Sequence, residues 1–413
     1  MVHQKPKGTV DLFPDEKKIQ NLVFNSLRKT AENFGFFEVD PPVIESLGLL
    51  EAKQGEEIKS QIFTTEKKGD ENIALRAEFT PSLARMFISK QKELPKPVKW
   101  FALNKVWRYE RPQSGRDREF FQFNCEIFGS GNPESDAEMI SLAIESLCSL
   151  GLKESQFKLK INNRKLLEGI VSDFTDKITE VIKVIDKKNK ISGSVFLDML
   201  KETGVKNSSK LKTILETEDI KKFEKLKLNS LAKDGLLELK NILSLVDSPC
   251  ITFSPSTARG LAYYTGTVFE IFDKDEKLRS IAGGGRYDNM IAQFQGIASP
   301  ATGFGMGYST LKLLLEQNGL LPKIDLGPDY YIAVVDKTVL RQAMEVANKL
   351  RKKYVVSIDL MGRNLGNQFK YANAINAKNV IVFGPDEFQQ GKLKIKNMET
   401  GDERTVGIRD ILS

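Results

Sequence analysis

The 413-residue sequence contains one histidine and three cysteines, and these scarcities limit its chemistry. Because His3 lies in a polar N-terminal stretch, we do not expect a histidine general base, a Ser-His-Asp triad or a histidine-ligated metal. Cys125, Cys148 and Cys250 are far apart and form no CxxC pair, which predicts reduced thiols instead of a disulfide framework or a zinc site. Any chemistry must therefore depend on Arg, Glu, Tyr and backbone groups.

Long apolar runs are also absent, and the charge imbalance is modest. No segment approaches the length of a membrane span, and MVHQKPKGTVDLF does not resemble a signal peptide, so we expect a cytoplasmic protein that does not bind a membrane. The net charge is +7; residues 160–250 hold 18 basic and 14 acidic residues, and residues 327–413 hold 14 and 10, so each region carries +4. This excess suits docking to a polyanion, although a solvated lysine-rich surface would have the same composition.

Several segments show clear secondary-structure patterns. Apolar spacing after Pro14 predicts a helix, and Thr80 followed by Pro81 predicts a second helix capped by Thr80. The β-rich runs VKWFALNKVWRYE and EFFQFNCEIFG flank RPQSGRDR, which predicts a hairpin, and residues 132–152 predict an amphipathic helix. At 40% hydrophobic content, the chain can form two or three domains with real cores.

The composition changes along the chain in a way that indicates domains. Lys-, Leu- and acid-rich segments between residues 160 and 250 predict a helical insertion, and β-rich sequence resumes afterwards. Alternating strand and helix patterns in residues 327–413 predict a small domain with a parallel or mixed sheet. We therefore predict an α/β fold in which residues 1–159 and 251–322 form a core, residues 160–250 an insertion and residues 327–413 a C-terminal domain.

Three features indicate a ligand site. The GGGRYD segment lacks the strand, turn and helix order of a dinucleotide fingerprint, so its glycines instead predict close approach of the backbone to a ligand or a strand. The hairpin should project its loop arginines beyond the end of the sheet, as a cationic rim. Glu126 stands alone among apolar residues, and a buried carboxylate without a partner is costly, so we favour a functional role for it.

Four segments together resemble the histidyl-tRNA synthetase family. They are WRYERPQSGRDREFFQFNCEIFG at 107–129, RGLAYYTGTVFEIF at 259–272, AGGGRYD at 282–288 and NQFKYANAINAKNVIVFG at 367–384. The resemblance covers nearly the whole chain, in the family's order of class II catalytic core with an antiparallel sheet, helical insertion, core again and anticodon-binding domain. It implies ATP-dependent ligation of L-histidine to the 3′ end of tRNA(His) through a histidyl-adenylate, with ATP and Mg²⁺ as cofactors and no metal held by protein side chains alone.

The resemblance also implies roles for the arginines. Arg108 corresponds to the arginine on the α-phosphate of ATP, and Arg259 to the one that contacts both that phosphate and the histidine carboxylate; these two are the expected catalytic residues. Glu110 would position the adenine end, and Arg116 would reach the terminal phosphates. A planar guanidinium suits this chemistry because it can bridge two oxyanions and stays charged. Considered singly, Arg108 or Arg118 is more often a surface ion-pair partner than a phosphate ligand.

Other residues correspond to the histidine and tRNA sites of the family. The expected histidine-binding residues are Glu78, Thr80 and Gln122 for the ammonium group, Glu126, Tyr264 and Tyr287 for the imidazole, and Arg259 and Tyr263. For Tyr263 a core role is also open, because strand alternation would turn it away from Tyr264. Gln113 and Arg118 correspond to contacts with the tRNA acceptor end. The segment FGFFEVDPPVIES resembles the family's dimer motif, which implies a homodimer.

The chain departs from the family at two positions. Thr310 in GFGMGYSTL stands where class II synthetases usually have an arginine for the γ-phosphate, and Lys312 should lie roughly opposite on the helix. Ala262 stands where an aspartate is common. These departures keep two alternatives open: a histidine-binding protein like the ATP phosphoribosyltransferase regulatory subunit, or a tRNA-binding paralogue without catalysis. The retained Arg259 and the complete basic C-terminal region favour the synthetase.

Overall fold

The computed structural model describes residues 3–51, 60–65, 72–188, 191–259 and 263–412. The chain divides into two compact units, one formed by Met1–Asp11 and Gln20–Leu321 and the other by Leu12–Ile19 and Pro322–Ser413. Each unit has its own sheet and hydrophobic core. None of the described helices has the length and apolar character needed to cross a bilayer.

The first unit contains a large sheet and a small one. Its strands are β1 Phe37–Glu38, β2 Ile44–Ser46, β3 Ile73–Leu75, β4 Val98–Trp107, β5 Glu119–Phe128, β6 Phe157–Asn163, β7 Ile251–Phe253, β8 Thr267–Asp273, β9 Ala282–Arg286 and β10 Ala301–Gly307. Eight of them form a mixed sheet in the order β1-β4-β5-β10-β9-β8-β6-β7, and β2 pairs with β3 separately. The central pairs, from β4 to β8, are all antiparallel, as predicted for the core.

Helices cover the sheet and fill the stretch between β6 and β7. They are α1 Pro14–Asn33, α2 Thr80–Lys90, α3 Pro133–Cys148, α4 Arg164–Ser172, α5 Ile178–Asp186, α6 Gly193–Glu202, α7 Ser208–Leu215, α8 Ile220–Glu224, α9 Ser230–Leu245, α10 Met290–Gln293 and α11 Tyr308–Gln317, with a 3₁₀ turn at Glu154–Gln156. Asparagine side chains cap α4 and α9, at Asn163 and Asn229. Strand β6 pairs with β8, so the purely helical stretch begins at α4.

The predicted hairpin is confirmed. Strands β4 and β5 pair antiparallel from Val98 opposite Phe128 to Trp107 opposite Glu119. Apolar residues of β5, including Phe123 and Cys125, enter the main core beneath α3. The loop between the strands therefore leaves the sheet at one edge, where Arg108 follows β4 directly.

The predicted cap of the second helix is wrong. Helix α2 begins at Thr80, and its N-cap residue Phe79 makes no side-chain capping bond. The hydroxyl group of Thr80 instead donates to Oε1 of Glu126 at 2.7 Å. A hydrogen bond to a buried carboxylate is stronger than one to a backbone amide, so the tertiary contact determines where this hydroxyl points.

The second unit is a small mixed α/β structure. Its strands are β11 Tyr330–Val334, β12 Val356–Ile358, β13 Asn379–Phe383, β14 Lys392–Asn397 and β15 Glu403–Gly407, in the order β12-β11-β13-β14-β15. Its helices are α12 Leu340–Leu350, α13 Leu365–Ala374, α14 Pro385–Gln389 and α15 Ile408–Leu412, with a 3₁₀ turn at Lys337–Val339. The first three strands are parallel, whereas β14 and β15 are antiparallel. The strand pattern of β15 is weak in the sequence because its first three residues are exposed.

The three cysteines are free thiols. Cys125 and Cys250 are buried, and Cys148 is half-buried. Burial raises the pKa of all three thiols, that of Cys148 to about 11. Since the thiolate is the reactive form, these residues pack as small apolar groups and are chemically inert.

Candidate functional site

Three glycines open a cavity in the middle of the large sheet. Gly303 and Gly305 of β10 lie opposite Glu126 and Asn124 of β5, and Gly305 also pairs with Gly283 of β9. A Cβ atom at any of the three would overlap a polar side chain: Arg259 at Gly283, Glu126 at Gly303 and Gln122 at Gly305. The close backbone approach predicted from the glycine-rich segment is therefore confirmed, and it leaves a cavity of about 100 Å³.

Residues of strands β5, β9 and β10, of the start of helix α2 and of several connecting segments meet at this cavity. Its lining consists of Glu78, Thr80, Arg108, Gln122, Asn124, Arg259, Tyr263, Tyr264, Gly283, Tyr287, Gly303, Phe304 and Gly305. Eight of these were named from the sequence, although they are separated by up to 209 residues in the chain. Within the described residues, Oε1 of Gln122 is buried without a hydrogen-bond partner, which marks a place for a ligand donor.

A buried carboxylate lies beneath the cavity. Glu126 is only 1% exposed, and its oxygens accept hydrogen bonds from Thr80 at 2.7 Å, from Asn124 at 2.6 Å and from the phenol of Tyr287. We call these four residues the carboxylate pocket. Three donors on one carboxylate offset its desolvation and fix its position, so the pocket presents a negative charge of defined geometry.

Three tyrosines form one wall. The rings of Tyr263 and Tyr264 are 4.5 Å apart, and Tyr287 meets Tyr263 edge-on at 5.8 Å. The predicted alternation of Tyr263 and Tyr264 is wrong because β8 begins only at Thr267, so both residues lie in a loop and face the cavity. Burial raises the pKa of all three phenols, and neighbouring groups such as Glu126 raise that of Tyr287 further. They are therefore neutral donors at physiological pH.

Arg259 also lines the cavity. Its Nη1 donates to Oε1 of Glu270 at 2.7 Å, and its guanidinium packs over Gly283. Burial by itself lowers the pKa of Arg259, but Tyr264 and the ion pair with Glu270 outweigh it, so the pKa stays above its ordinary value. The backbone has a φ of 45°, which is strained for a residue with a side chain, and such strain often accompanies function.

Arg108 approaches the same cavity from the end of β4. Its Nε donates to the carbonyl of Ala77 at 2.9 Å, and its guanidinium lies over the ring of Phe120 at 5.5 Å. Burial lowers the pKa of Arg108, Glu78 raises it and Arg259 lowers it. Two guanidinium groups therefore converge from separate elements on one cavity, an arrangement that favours a ligand with more than one anionic group.

The hairpin loop holds the remaining predicted residues, which interact mainly with one another. Arg116 forms an ion pair with Glu110, and the backbone amide of Gln113 donates to the carbonyl of Arg116 at 3.1 Å. Arg118 stacks on the ring of Tyr109 at 4.1 Å and donates to the carbonyl of Glu110 at 3.0 Å. None of Glu110, Gln113, Arg116 and Arg118 lines the cavity itself; they lie at its outer edge.

Asn124 was not predicted from the sequence. Arg286 and Asp288, the first and last residues of the RYD triplet, were given no role. Asn124 could have been found, because alternation along β5 places it on the same face as Gln122 and Glu126. Arg286 is a buried frame residue that binds Asp136 at 2.7 Å and Asp288 at 3.0 Å, so only Tyr287 of the triplet enters the cavity. Ala262, noted above as a departure, lies outside the described residues.

Within the described residues, no group of three or more His, Cys, Asp or Glu side chains is placed to hold a metal ion. The cavity instead combines two guanidinium groups, three neutral phenols, the amides of Gln122 and Asn124 and the carboxylate of Glu78, with Glu126 beneath. This donor set fits a small zwitterion together with a polyanion. A divalent cation could enter such a site bound to the polyanion.

Comparisons with known proteins agree along the whole chain. The family model described as histidyl-tRNA synthetase matches residues 8–311, and the one described as anticodon binding domain matches residues 329–413. A histidine–tRNA ligase from Haloarcula marismortui is 36% identical over 418 residues, covering 98% of this chain and 96% of that protein. A histidine–tRNA ligase from Pyrococcus furiosus is 35% identical over 429 residues, covering 99% and 98%.

A solved structure shows the same fold. The histidyl-tRNA synthetase of a Nostoc species superposes with a TM-score of 0.82 and covers 100% of this chain and 99% of that chain. At 24% sequence identity, this likeness concerns the arrangement of the elements alone. The sheet that carries the cavity is thus shared with an enzyme of the matched family.

Proposed function

The chain belongs to the histidyl-tRNA synthetase family, and we propose that it joins L-histidine to tRNA(His) in two steps at the cavity described above. In the first, ATP and histidine give histidyl-adenylate and diphosphate; in the second, histidine passes to the tRNA and AMP is released. The convergence of Arg108 and Arg259 on a cavity floored by Glu126 carries the proposal. The reaction is a step of protein biosynthesis.

The carboxylate pocket selects the amino acid. Glu126 accepts a hydrogen bond from an imidazole N–H, and Tyr264 and Tyr287 enclose the ring. Thr80 donates its hydroxyl proton to Glu126, so its oxygen keeps acceptor capacity for an ammonium group, beside Glu78 and Gln122. An apolar amino acid of similar size would leave the pocket's buried charge unpaired, which a polar site rejects strongly.

The arginines lower the barrier of the first step. One histidine carboxylate oxygen bonds to the α-phosphorus, and the bond from that phosphorus to the oxygen bridging to the β-phosphate breaks, so diphosphate leaves. Arg259 contacts both the carboxylate and the α-phosphate, and Arg108 contacts the α-phosphate; fixed cations offset the charge that gathers in the transition state. Mg²⁺ bound to the nucleotide phosphates supplies further charge neutralisation.

The second step needs no histidine side chain as a base. The 3′-terminal ribose hydroxyl of the tRNA attacks the carbonyl carbon of the adenylate, and the bond between that carbon and the phosphate oxygen breaks. A non-bridging phosphate oxygen of the adenylate takes the hydroxyl proton, so AMP leaves protonated and then loses that proton to water. Gln113 and Arg118, on the outer edge of the hairpin, contact the acceptor end of the tRNA.

The remaining parts of the chain serve tRNA binding and assembly. Residues 1–159 and 251–322 act as catalytic core, residues 160–250 as insertion and residues 327–413 as anticodon-binding domain, whose charge of +4 makes tRNA binding salt-dependent. Two copies of the chain associate through the segment that holds β1 and β2. On this segment Phe37 is 72% and Ile44 50% exposed, an apolar surface of the kind that interfaces cover.

Histidine-dependent exchange of diphosphate into ATP tests the proposal. We expect exchange with the unmodified chain, and we expect Arg259→Ala to abolish it while leaving tRNA affinity, measured by filter binding, nearly unchanged. A chain without exchange that still retains tRNA would instead be a non-catalytic paralogue. A chain that binds histidine but neither exchanges nor binds tRNA would match the regulatory-subunit alternative, which the comparisons do not favour.

A further inference from the structure

Thr310 replaces the arginine that class II synthetases usually have for the γ-phosphate. Helix α11 therefore provides no arginine for that phosphate at this position. Thr310 is 6% exposed, and a Cβ atom at Gly115 of the hairpin loop would lie 3.5 Å from its methyl group. Lys312, two residues later, has its own partner Glu316 on the same helix at 4.0 Å. At this position helix α11 therefore carries a buried threonine where a phosphate-binding side chain was expected.

Another arginine reaches this place from a different element. Arg279 lies just before β9, and the carbonyl of Ile281, two residues later, accepts a hydrogen bond from the amide of Gly307 at 3.1 Å. Gly307 is the N-cap residue of α11. Arg279 therefore lies close in the chain to a contact with the start of α11, the helix that carries Thr310. Strand β9 begins at the same end of the sheet where β4 ends and the hairpin loop begins.

Arg279 has no ion-pair partner within the part of the chain that the structure describes. Burial lowers its pKa, and so does the charge of Arg108. Although Arg116 contacts Glu110, burial, Arg279 and Arg108 together lower the pKa of Arg116 as well. We call Arg108, Arg116 and Arg279 the arginine edge.

A cluster of three guanidinium groups with only Glu110 and Glu78 beside it is unfavourable in the protein by itself, because like charges repel. A bound polyanion would turn the same repulsion into attraction. The cluster extends outward from Arg108, which lines the cavity, to Arg116 and Arg279, which do not. A triphosphate whose α-phosphate lies at Arg108 would therefore direct its outer phosphates toward Arg116 and Arg279.

We propose that Arg279 binds the terminal phosphates of ATP and supplies the cation that position 310 lacks in this chain. The inference rests on the proposed function, and it adds a specificity residue that neither the sequence motifs nor the matched families name. Neighbouring atoms partly desolvate the guanidinium of Arg279, but much of the side chain is exposed, so it has the freedom to close on the nucleotide.

The test compares the affinities of ATP and AMP by equilibrium binding in the presence of Mg²⁺, for the unmodified chain, Arg279→Ala and Lys277→Ala. Lys277 is a matched control because it is a cation of the same loop, is 70% exposed and pairs with Asp275. We expect Arg279→Ala to bind ATP roughly 10- to 100-fold more weakly and AMP as before, because a charge-assisted bond to the outer phosphates is lost. Lys277→Ala should bind both nucleotides like the unmodified chain.

The AMP measurement distinguishes a specific loss of phosphate binding from a folding defect, because a misfolded variant would bind both nucleotides more weakly. Unchanged ATP affinity in Arg279→Ala, or equal losses for ATP and AMP, would overturn the proposal. So would an equal loss of ATP affinity in Lys277→Ala, which would show a diffuse charge effect. An unmodified chain that binds ATP but shows no histidine-dependent exchange would overturn the proposed function while leaving the role of Arg279 measurable, and one that binds no ATP would overturn both.

Discussion

The carboxylate pocket and the arginine edge lie on one cavity but balance their charges differently. In the pocket, three donors surround Glu126, and the network is complete without a ligand. At the edge, Glu110 pairs with Arg116 and the charge of Glu78 acts on Arg108, whereas the charged neighbours of Arg279 are the other two guanidinium groups. The pocket is thus organised before its substrate arrives, whereas the edge gains its balance only when a polyanion binds.

On the proposed function, the difference follows from the substrates. Histidine is small and must be told apart from similar amino acids, which requires fixed, desolvated partners. ATP is recognised largely by charge, and its phosphates bring the missing negative charge with them. Substitutions in the pocket should therefore change amino acid affinity and stability, and substitutions at the edge should change nucleotide use with little effect on stability.

The largest effect is expected at Arg108, the member of the arginine edge that lines the cavity. Arg108→Ala should lower the rate of histidine-dependent exchange roughly 10²- to 10³-fold, because a fixed cation is removed from the developing charge. Arg341→Ala, a change at an 89% exposed arginine, is the control and should exchange normally. If Arg108→Ala exchanged like the control, the guanidinium of Arg108 would have no part in the reaction.

The next largest effect is expected at Glu126, and it distinguishes the carboxylate pocket from the arginine edge. Glu126→Gln keeps the shape of the side chain but removes its charge, so the KM for histidine should rise roughly 10- to 100-fold, as expected for loss of a charged hydrogen-bond partner. The KM for ATP should change less than threefold. Exchange kinetics with each substrate varied in turn measure both, and the exposed Glu202→Gln serves as control. A rise in the KM for ATP alone would reverse the assignment of the pocket.

A methyl group at Gly303 should act on the same carboxylate through packing. Because its Cβ atom would overlap Oε2 of Glu126, Gly303→Ala should lower the free energy of unfolding by about 1–3 kcal/mol and also raise the KM for histidine. Urea denaturation measures the first and exchange the second. For comparison, Gly366→Ala in α13, where a Cβ atom has room, should leave both unchanged. Full stability in Gly303→Ala would mean that the pocket is looser than described.

The smallest effect concerns alkaline pH. The pKa of Tyr287 is raised in the folded protein, so the folded state keeps a proton that the unfolded chain releases above about pH 10. Its contribution to stability is therefore complete below that pH and declines as the pH rises toward the folded pKa. Tyr287→Phe should make the loss of stability above pH 10 less steep, by up to about 1.4 kcal/mol per pH unit. Urea denaturation between pH 9 and 11 would show this, and identical slopes would contradict it.

Several elements were predictable from the sequence because local rules govern them. The apolar spacing of α1, the hairpin of β4 and β5 and the amphipathic α3 follow from periodicity and turn residues. The glycine-rich strand indicated close backbone approach for the same kind of reason, since only glycine leaves that space. The weakly patterned β15 was missed because its pairing with β14, and not its composition, makes it a strand.

The site itself was predictable only where a family motif names the residue. Local rules predicted that Thr80 caps a helix, but its hydroxyl group binds Glu126 instead. Local rules also predicted that Tyr263 and Tyr264 face opposite ways along a strand, but both lie in the loop before β8. Arg279 matched no motif. Its proposed role in phosphate binding follows only from its position near Gly307 and Arg108.

The sequence alone determined the types of group available: many arginines, one histidine, carboxylates among apolar residues and glycines at fixed spacing. These restrict the chemistry to charge stabilisation by fixed cations. The tertiary structure decided which charges share a cavity, because pairing of β5, β9 and β10 brings together residues that are distant in the chain. Electrostatic interactions depend on separation in space and on burial, and neither quantity is written in the order of the residues.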